Sequence, residues 1–85
     1  TECLRLARYA EILNISVAPH FLPNIFIHLA VAMPNVVWLE DFPLLEPIFN
    51  SPETFNSSGM LELNGLPGLG LEWDEEAKKR YKVEF

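Results

Sequence analysis

An apolar helix between two apolar strand-like segments most constrains how this chain can fold. The sequence predicts strands over Ile15–His20 and Asn35–Glu40, with a helix between them over Leu22–Met33. Two strands joined by a single crossover helix run parallel, so their carboxyl ends lie on the same side of a sheet. We therefore expect His20 and Glu40, which end the two strands, to lie side by side.

Prolines set both ends of the predicted helix. Pro23 fits the first helical turn, where its missing N–H leaves no helical hydrogen bond unmade, and Pro34 prevents the helix from continuing. The strands carry apolar runs without alternation, Val17–Ala18 and Val36–Leu39, which is typical of parallel strands covered on both faces. The helix is also apolar nearly all round, which indicates burial on more than one side.

Composition bears on whether these elements can fold alone. Hydrophobic residues make up 49% of the 85-residue chain, and a two-stranded parallel sheet this apolar needs further strands beside it. The sequence also begins at Thr1 inside an amphipathic helical pattern that continues to Asn14. We therefore expect a part of a larger protein. We expect the outer side of the apolar helix to be covered by a neighbouring helix, the C-terminal tail or another subunit of a homo-oligomer.

Charge and cysteine content exclude several classes of partner. The formal net charge is −6, and no basic patch is present to neutralise phosphates, so nucleic acid is not expected as a partner. The longest apolar run, Ile25–Met33, is interrupted by a histidine and too short to span a bilayer, so no membrane partner is expected. The lone Cys3 excludes an internal disulfide, and with no cysteine or histidine cluster beside it we expect no zinc site. We expect a cytoplasmic protein.

The chain changes character after the second predicted strand. The segment Asp41–Ser58 is predicted to be extended and ordered by packing, because apolar residues alternate there with three prolines: Pro43, Pro47 and Pro52. A short strand is predicted over Met60–Leu63. Asp74 is expected to cap a last short helix through Tyr81, supported by i,i+4 side-chain pairs: Glu75–Lys79 and Glu76–Arg80.

The two residues at the strand ends permit a structural and a chemical interpretation. A histidine at the end of a buried strand can simply hydrogen-bond neighbouring backbone groups. Glu40 favours the chemical interpretation, because a carboxylate among apolar residues is costly to bury without a partner. Two titratable side chains at neighbouring strand ends suit general acid–base catalysis, with His20 as the second group. His28, in the middle of the predicted helix, is interpreted as structural.

Short motifs surround both strand ends, and a different one lies near the C-terminus. They read APHFLPN, HLA, PN and WLE at residues 18–24, 28–30, 34–35 and 38–40, and LPGLGL at 66–71. This pattern resembles the end of the barrel in the mandelate racemase subgroup of the enolase superfamily, among members of the mandelate racemase/muconate lactonising enzyme type. The interval of twenty residues between His20 and Glu40 also matches, and the similarity covers essentially the whole chain.

The resemblance implies an α/β fold, as the C-terminal fragment of a modified TIM barrel, (β/α)₇β, in an enzyme with an α+β capping domain. Residues 1–42 would supply the last part of that barrel, with its last two strands. Residues 43–85 would form the tail that returns to the cap, with its short strand and final short helix. The earlier barrel strands and the cap would then be partners of this chain.

The resemblance also implies a Mg²⁺-dependent reaction that removes the α-proton of a hydroxy-acid or sugar-acid carboxylate. His20 would act as general base or acid at that carbon, and Glu40 would donate a hydrogen bond to the substrate carboxylate. The family's three carboxylate metal ligands, and an aspartate that pairs with the histidine, lie on earlier strands and are expected upstream of this chain. Position 24 is Asn, where many relatives carry Glu.

Dehydration of an acid sugar is the reaction we favour, by analogy with relatives. The nearest alternative is racemisation or epimerisation by a member of the same superfamily. From a different class, the chain can belong to a catalytically silent structural relative. The 85 residues alone are not expected to be active.

Overall fold

The computed structural model describes residues 1–50 and 54–85, so Pro52 lies outside the described residues. The chain divides into two compact units, Thr1–Phe42 and Pro43–Phe85. The division falls where the sequence changes character, immediately after the second predicted strand.

The first unit contains two α-helices, α1 over Glu2–Ile12 and α2 over Pro23–Ala32. Both are slightly shorter than the sequence predicted. After α1 the chain turns at Asn14, which has a left-handed φ of 54°, a conformation that asparagine adopts more readily than most residues after a helix. Helix α2 has proline at its first position and ends before Pro34, as predicted. Within residues 1–50 and 54–85, no helix has the length and apolar character needed to cross a membrane.

The residues of the two predicted strands meet at one parallel bridge, between Val17 and Val36. The N–H of Val17 donates to the carbonyl oxygen of Asn35 at 2.8 Å. The orientation is the predicted one, but continuous strands over Ile15–His20 and Asn35–Glu40 are absent from the described residues. A physical reason lies in the number of neighbours: each segment has a single partner here, and an apolar parallel pair gains regularity from further strands on both sides.

The core of the first unit joins both helices to the bridge. Ala7, Met33 and Val36 are its buried residues. The side-chain nitrogen Nδ2 of Asn35 donates to the carbonyl oxygens of Ala7 at 2.9 Å and Ile15 at 3.1 Å, which ties α1 to the bridge. Partly buried apolar side chains complete the packing: Leu4, Val17, Leu29, Ala30 and Leu39.

Helix α2 is covered on one side and open on the other. Ile27 is 6% exposed, whereas Val31 on the same helix is 68% exposed. The expected cover is therefore present over Ile27 and absent over Val31 within the described chain.

The second unit begins with a 3₁₀ helix over Pro43–Ile48. The prediction of an extended segment was wrong here, because the φ that proline fixes is compatible with 3₁₀ geometry as well as with extended backbone. Two short antiparallel strands follow, β1 over Thr54–Phe55 and β2 over Leu61–Glu62. The second lies within the strand predicted over Met60–Leu63, and Glu62 is exposed.

A third α-helix, α3, spans Glu75–Tyr81. The carboxylate of Asp74 accepts hydrogen bonds from the N–H groups of Glu76 and Ala77 at 2.9 and 3.0 Å, so Asp74 is the predicted N-cap. The ion pairs along the helix have i,i+3 spacing instead of the predicted i,i+4 spacing: Glu75–Lys78 at 2.8 Å and Glu76–Lys79 at 2.9 Å. Both spacings place side chains next to each other on a helix surface, which explains the exchange of partners.

The start of α3 is joined to the end of the 3₁₀ helix by an antiparallel bridge between Phe49 and Trp73. Their ring centroids lie 4.9 Å apart. Backbone hydrogen bonds flank the bridge: Asn50 N–H to Glu72 O at 2.8 Å and Asp74 N–H to Ile48 O at 2.9 Å. Residues distant in sequence thus hold the second unit together.

Candidate active site

The structure brings the two residues at the predicted strand ends into direct contact. The Nδ1 atom of His20 lies 2.5 Å from Oε2 of Glu40. Parallel pairing of the two segments explains this proximity, because it places both carboxyl ends on one side. The side chains are 80% and 42% exposed, respectively. The burial of Glu40 that the sequence suggested is therefore only partial in this unit.

A backbone group is the second donor to the same carboxylate oxygen. The N–H of Phe21 donates to Oε2 of Glu40 at 2.8 Å. The other oxygen, Oε1, makes no hydrogen bond within the described residues. Sequence reasoning missed Phe21, because a main-chain donor has no side-chain signature and any residue other than proline can supply it.

The chain reaches this arrangement through two consecutive left-handed residues. Phe21 has φ of 63° and Leu22 has φ of 55°. For residues other than glycine this conformation costs roughly 1–2 kcal/mol each, because Cβ approaches the following carbonyl oxygen. Non-glycine residues held in such conformations concentrate at functional sites. Nothing in the local sequence marks this turn, since neither position is glycine or asparagine.

Three aromatic rings lie close to one another at this site: those of His20, Phe21 and Phe42. The His20 ring centroid lies 6.2 Å from those of both Phe21 and Phe42. The two phenyl rings lie 5.2 Å apart in an edge-to-face arrangement with an interplanar angle of 65°. Such pairs contribute about 0.5–1.5 kcal/mol beyond the area they bury, so the two phenyl rings stabilise each other next to His20.

His28 occupies a different environment. It lies in the middle of α2, is half-buried and already makes an interaction within the chain. This position fits the structural interpretation that its sequence context suggested.

The described residues do not supply a magnesium site. They contain no group of three or more His, Cys, Asp or Glu side chains that could hold a metal ion. His20 and Glu40 offer one imidazole and one carboxylate, whereas Mg²⁺ requires near-octahedral coordination by oxygen atoms. The resemblance likewise assigns the metal ligands to strands outside this chain.

An apolar cleft lies elsewhere in the first unit. Its volume is about 430 Å³, and side chains of α1, α2 and the segment between them line it, among them Leu6, Ala10, Ile15 and Phe26. Neither His20 nor Glu40 lines this cleft. An almost wholly apolar lining offers little for acid–base chemistry, so the contacting pair is the better candidate for the site.

Comparison with known proteins places this chain in a family. Residues 1–77 match the family model described as Enolase C-terminal domain-like. The chain belongs to this family. The resemblance to the enolase superfamily is therefore confirmed, together with an α/β fold of the TIM-barrel type.

Two relatives narrow the comparison to dehydratases. The L-talarate/galactarate dehydratase of Salmonella typhimurium is 36% identical over 62 residues, which is 73% of this chain and 15% of that protein. The crystal structure of L-talarate dehydratase from Polaromonas sp. JS666, complexed with Mg and L-glucarate, is similar with a TM-score of 0.79 and 37% identity. That match covers 89% of this chain and 21% of the crystallised chain. The 85 residues thus span only a minor part of the length of both relatives.

Proposed function

We propose that this chain is the C-terminal part of a Mg²⁺-dependent acid-sugar dehydratase, a lyase of the enolase superfamily. In this proposal it supplies the last two strands of a (β/α)₇β barrel and the tail that returns to the cap. The contact between His20 and Glu40 is the observation that carries the proposal. The earlier barrel strands, the cap and further copies of the protein are the proposed partners. The 68% exposure of Val31 supports such a cover.

The chemistry of the relatives' ligands suggests the substrate class. One relative is named for L-talarate and galactarate, and the other is complexed with L-glucarate. These acids share a carboxylate, a hydrogen on the neighbouring carbon and a hydroxyl group on the next carbon. Loss of that hydrogen and that hydroxyl group together releases water, so the proposed substrate is a sugar-acid carboxylate.

His20 is proposed to move the proton. Within this chain its Nδ1 contacts Glu40, which leaves Nε2 on the opposite side of the imidazole. A neutral Nε2 can accept the α-proton of the substrate. Because the hydroxyl group leaves as water only after it gains a proton, the same imidazole can act as the acid afterwards. General acid–base catalysis of this kind typically contributes about 10²–10⁴-fold to the rate.

Glu40 is proposed to bind the substrate carboxylate through Oε1, since Oε2 is occupied by His20 and Phe21. Removal of the α-proton increases the negative charge on that carboxylate. A hydrogen bond from Oε1–H therefore strengthens as the transition state forms, and an interaction of this kind raises kcat. Mg²⁺, bound by residues outside this chain, would neutralise the remaining charge.

The experiment uses the complete protein that contains this chain, with Mg²⁺, in D₂O. L-talarate, galactarate and L-glucarate are supplied in turn, and products are followed by NMR and by trapping of the keto acid. We expect loss of water and a 3-deoxy-2-keto acid from at least one of them. The same protein treated with a chelator is the matched control and should be inactive.

Other outcomes would refute the proposal in distinguishable ways. Deuterium at the α-carbon with a changed configuration and no loss of water would indicate a racemase or epimerase. Neither exchange nor dehydration, with folded protein and bound Mg²⁺, would indicate a silent relative.

A further inference from the structure

The carboxylate oxygen Oε2 of Glu40 is held by two donors from adjacent residues. His20 contacts it through Nδ1 at 2.5 Å, and Phe21 donates its backbone N–H at 2.8 Å. In the proposed reaction the imidazole gains and loses a proton, so its contact changes during each cycle. The backbone N–H keeps its proton throughout and is the constant part of this arrangement.

The conformation of the turn opposes local preferences. Leu22 precedes Pro23, and a residue before proline normally adopts extended backbone, yet Leu22 is left-handed. Leu22 is the N-cap residue of α2, and its carbonyl oxygen accepts hydrogen bonds from the N–H groups of Ile25 and Phe26 at 3.0 and 3.1 Å. An N-cap residue normally has extended backbone, so capping does not require the left-handed conformation. The turn also provides the hydrogen bond from Phe21 to Glu40.

We infer that Phe21 is a positioning residue for Glu40. The left-handed turn at Phe21 and Leu22 aims the N–H at Oε2, which directs Oε1 toward the substrate carboxylate. The inference rests on the proposed function, because it assigns Glu40 a substrate. The aromatic side chain of Phe21 is not required for this role, whereas the backbone N–H and the turn are.

The direct test replaces the peptide N–H with an ester oxygen in the complete enzyme. Incorporating the α-hydroxy analogue of phenylalanine at position 21 removes only this donor and keeps the ring. We expect kcat for the best sugar acid to fall about two- to ten-fold, the effect of losing a hydrogen bond to a neutral carboxyl group. KM should change much less than kcat, because the bond to the substrate strengthens mainly in the transition state.

Phe49 offers a matched control of the same residue type. Its N–H donates to the carbonyl oxygen of Glu46 at 3.0 Å. The same ester at position 49 removes a structural hydrogen bond without altering the turn at Phe21 and Leu22 or touching Glu40. It should lower the melting temperature about as much as the ester at position 21 and leave kcat unchanged.

A pair of side-chain variants keeps the inference testable if the ester proteins fold poorly. Leu22→Val places a β-branched residue in a left-handed position, whereas Leu22→Gly accepts that conformation without strain. We expect Leu22→Val to lower kcat clearly more than Leu22→Gly does. Equal kcat values for these two folded variants would overturn the inference.

The outcomes separate this inference from the proposed function. Unchanged kcat in the ester variant at position 21, or equal losses of kcat at positions 21 and 49, would overturn the role of Phe21 if Glu40→Gln is still impaired. If Glu40→Gln retains full dehydratase activity, the proposed role of Glu40 fails and takes this inference with it. A selective loss of kcat at position 21 would support both.

Discussion

The exposed apolar surface of the first unit predicts how residues 1–85 behave when they are expressed alone. Nine large hydrophobic side chains of this unit are between 41% and 76% exposed: Leu6, Tyr9, Ile12, Leu13, Ile15, Val31, Val37, Trp38 and Phe42. The buried hydrophobic residues of the same unit are the three of its core, Ala7, Met33 and Val36, together with Ile27 on α2. We expect the isolated chain to lack a cooperative unfolding transition.

The size of the missing stabilisation follows from the apolar surface that these side chains leave exposed to water. Full burial of a side chain of this kind contributes about 1.5–3 kcal/mol relative to full exposure. For nine side chains that are roughly half to three-quarters exposed, the missing contribution is on the order of 10 kcal/mol. A typical domain is stable by only about 5–15 kcal/mol in total. The absent contacts are therefore as large as the stability that a complete domain would have.

The assay compares the isolated 85 residues with the complete protein. Thermal circular dichroism should show a broad, shallow change for the isolated chain, and amide NMR signals should be poorly dispersed. Ile12→Lys with Val31→Lys is a useful control variant, since both positions are already mostly exposed. It reduces aggregation without removing core contacts, so it separates poor packing from poor solubility.

A sharp single transition with well-dispersed amide signals, in the isolated chain or in the control variant, would refute this reasoning. It would mean that the small core and the bridge stabilise the first unit without partners.

Two further predictions concern the second unit, each measured as thermal unfolding of the complete protein. Asp74→Ala removes the side-chain cap of α3 and should lower the free energy of unfolding by about 1 kcal/mol. Asp74→Ser can still cap the helix and should lower it less. Equal losses of stability in the two variants would contradict the capping role. Gly70→Ala should be more destabilising than Gly68→Ala by about 1–3 kcal/mol. Both glycines have positive φ. A Cβ at Gly70 would clash with Oδ1 of Asn64, and the Asn64 side-chain amide donates to the carbonyl oxygen of Gly70 at 2.7 Å. Nothing lies within 4 Å of a Cβ at Gly68. Equal effects at the two glycines would show that the clash is relieved at no cost.

The sequence was informative where local chemistry decides the outcome. The two ends of α2 could be predicted from Pro23 and Pro34, because a proline restricts only its own backbone and that of its neighbours. Asp74 was identifiable as a cap for the same reason. The proximity of His20 and Glu40 followed from one topological rule, that a strand–helix–strand crossover makes the strands parallel.

The remaining features depend on contacts that leave no local pattern. The hydrogen bond from Phe21 to Glu40 involves a main-chain donor and a turn without glycine. The Phe49–Trp73 bridge joins segments more than twenty residues apart, and pairing over such distances has no short-range signature. The 3₁₀ helix was missed because proline restricts φ but leaves ψ open. The predicted strands are shortened to a bridge because strand length depends on neighbours as well as on sequence.

In the proposed reaction, His20 moves the α-proton of a sugar-acid carboxylate while Glu40 stabilises the charge that develops. Glu40→Gln should lower kcat more than it weakens substrate binding, because the hydrogen bond it alters strengthens in the transition state. The Glu40→Gln variant reports on charge stabilisation and not on proton transfer itself.

Exchange of the α-hydrogen with solvent deuterium tests the proton transfer most directly. It is measured by NMR in D₂O for the complete enzyme and its His20→Asn variant, with a substrate whose α-hydrogen faces this residue. We expect exchange in the unmodified enzyme and a loss of about 10²-fold or more in His20→Asn, with Mg²⁺ binding retained. Exchange at a near-normal rate in folded His20→Asn would contradict it and return His20 to a structural role.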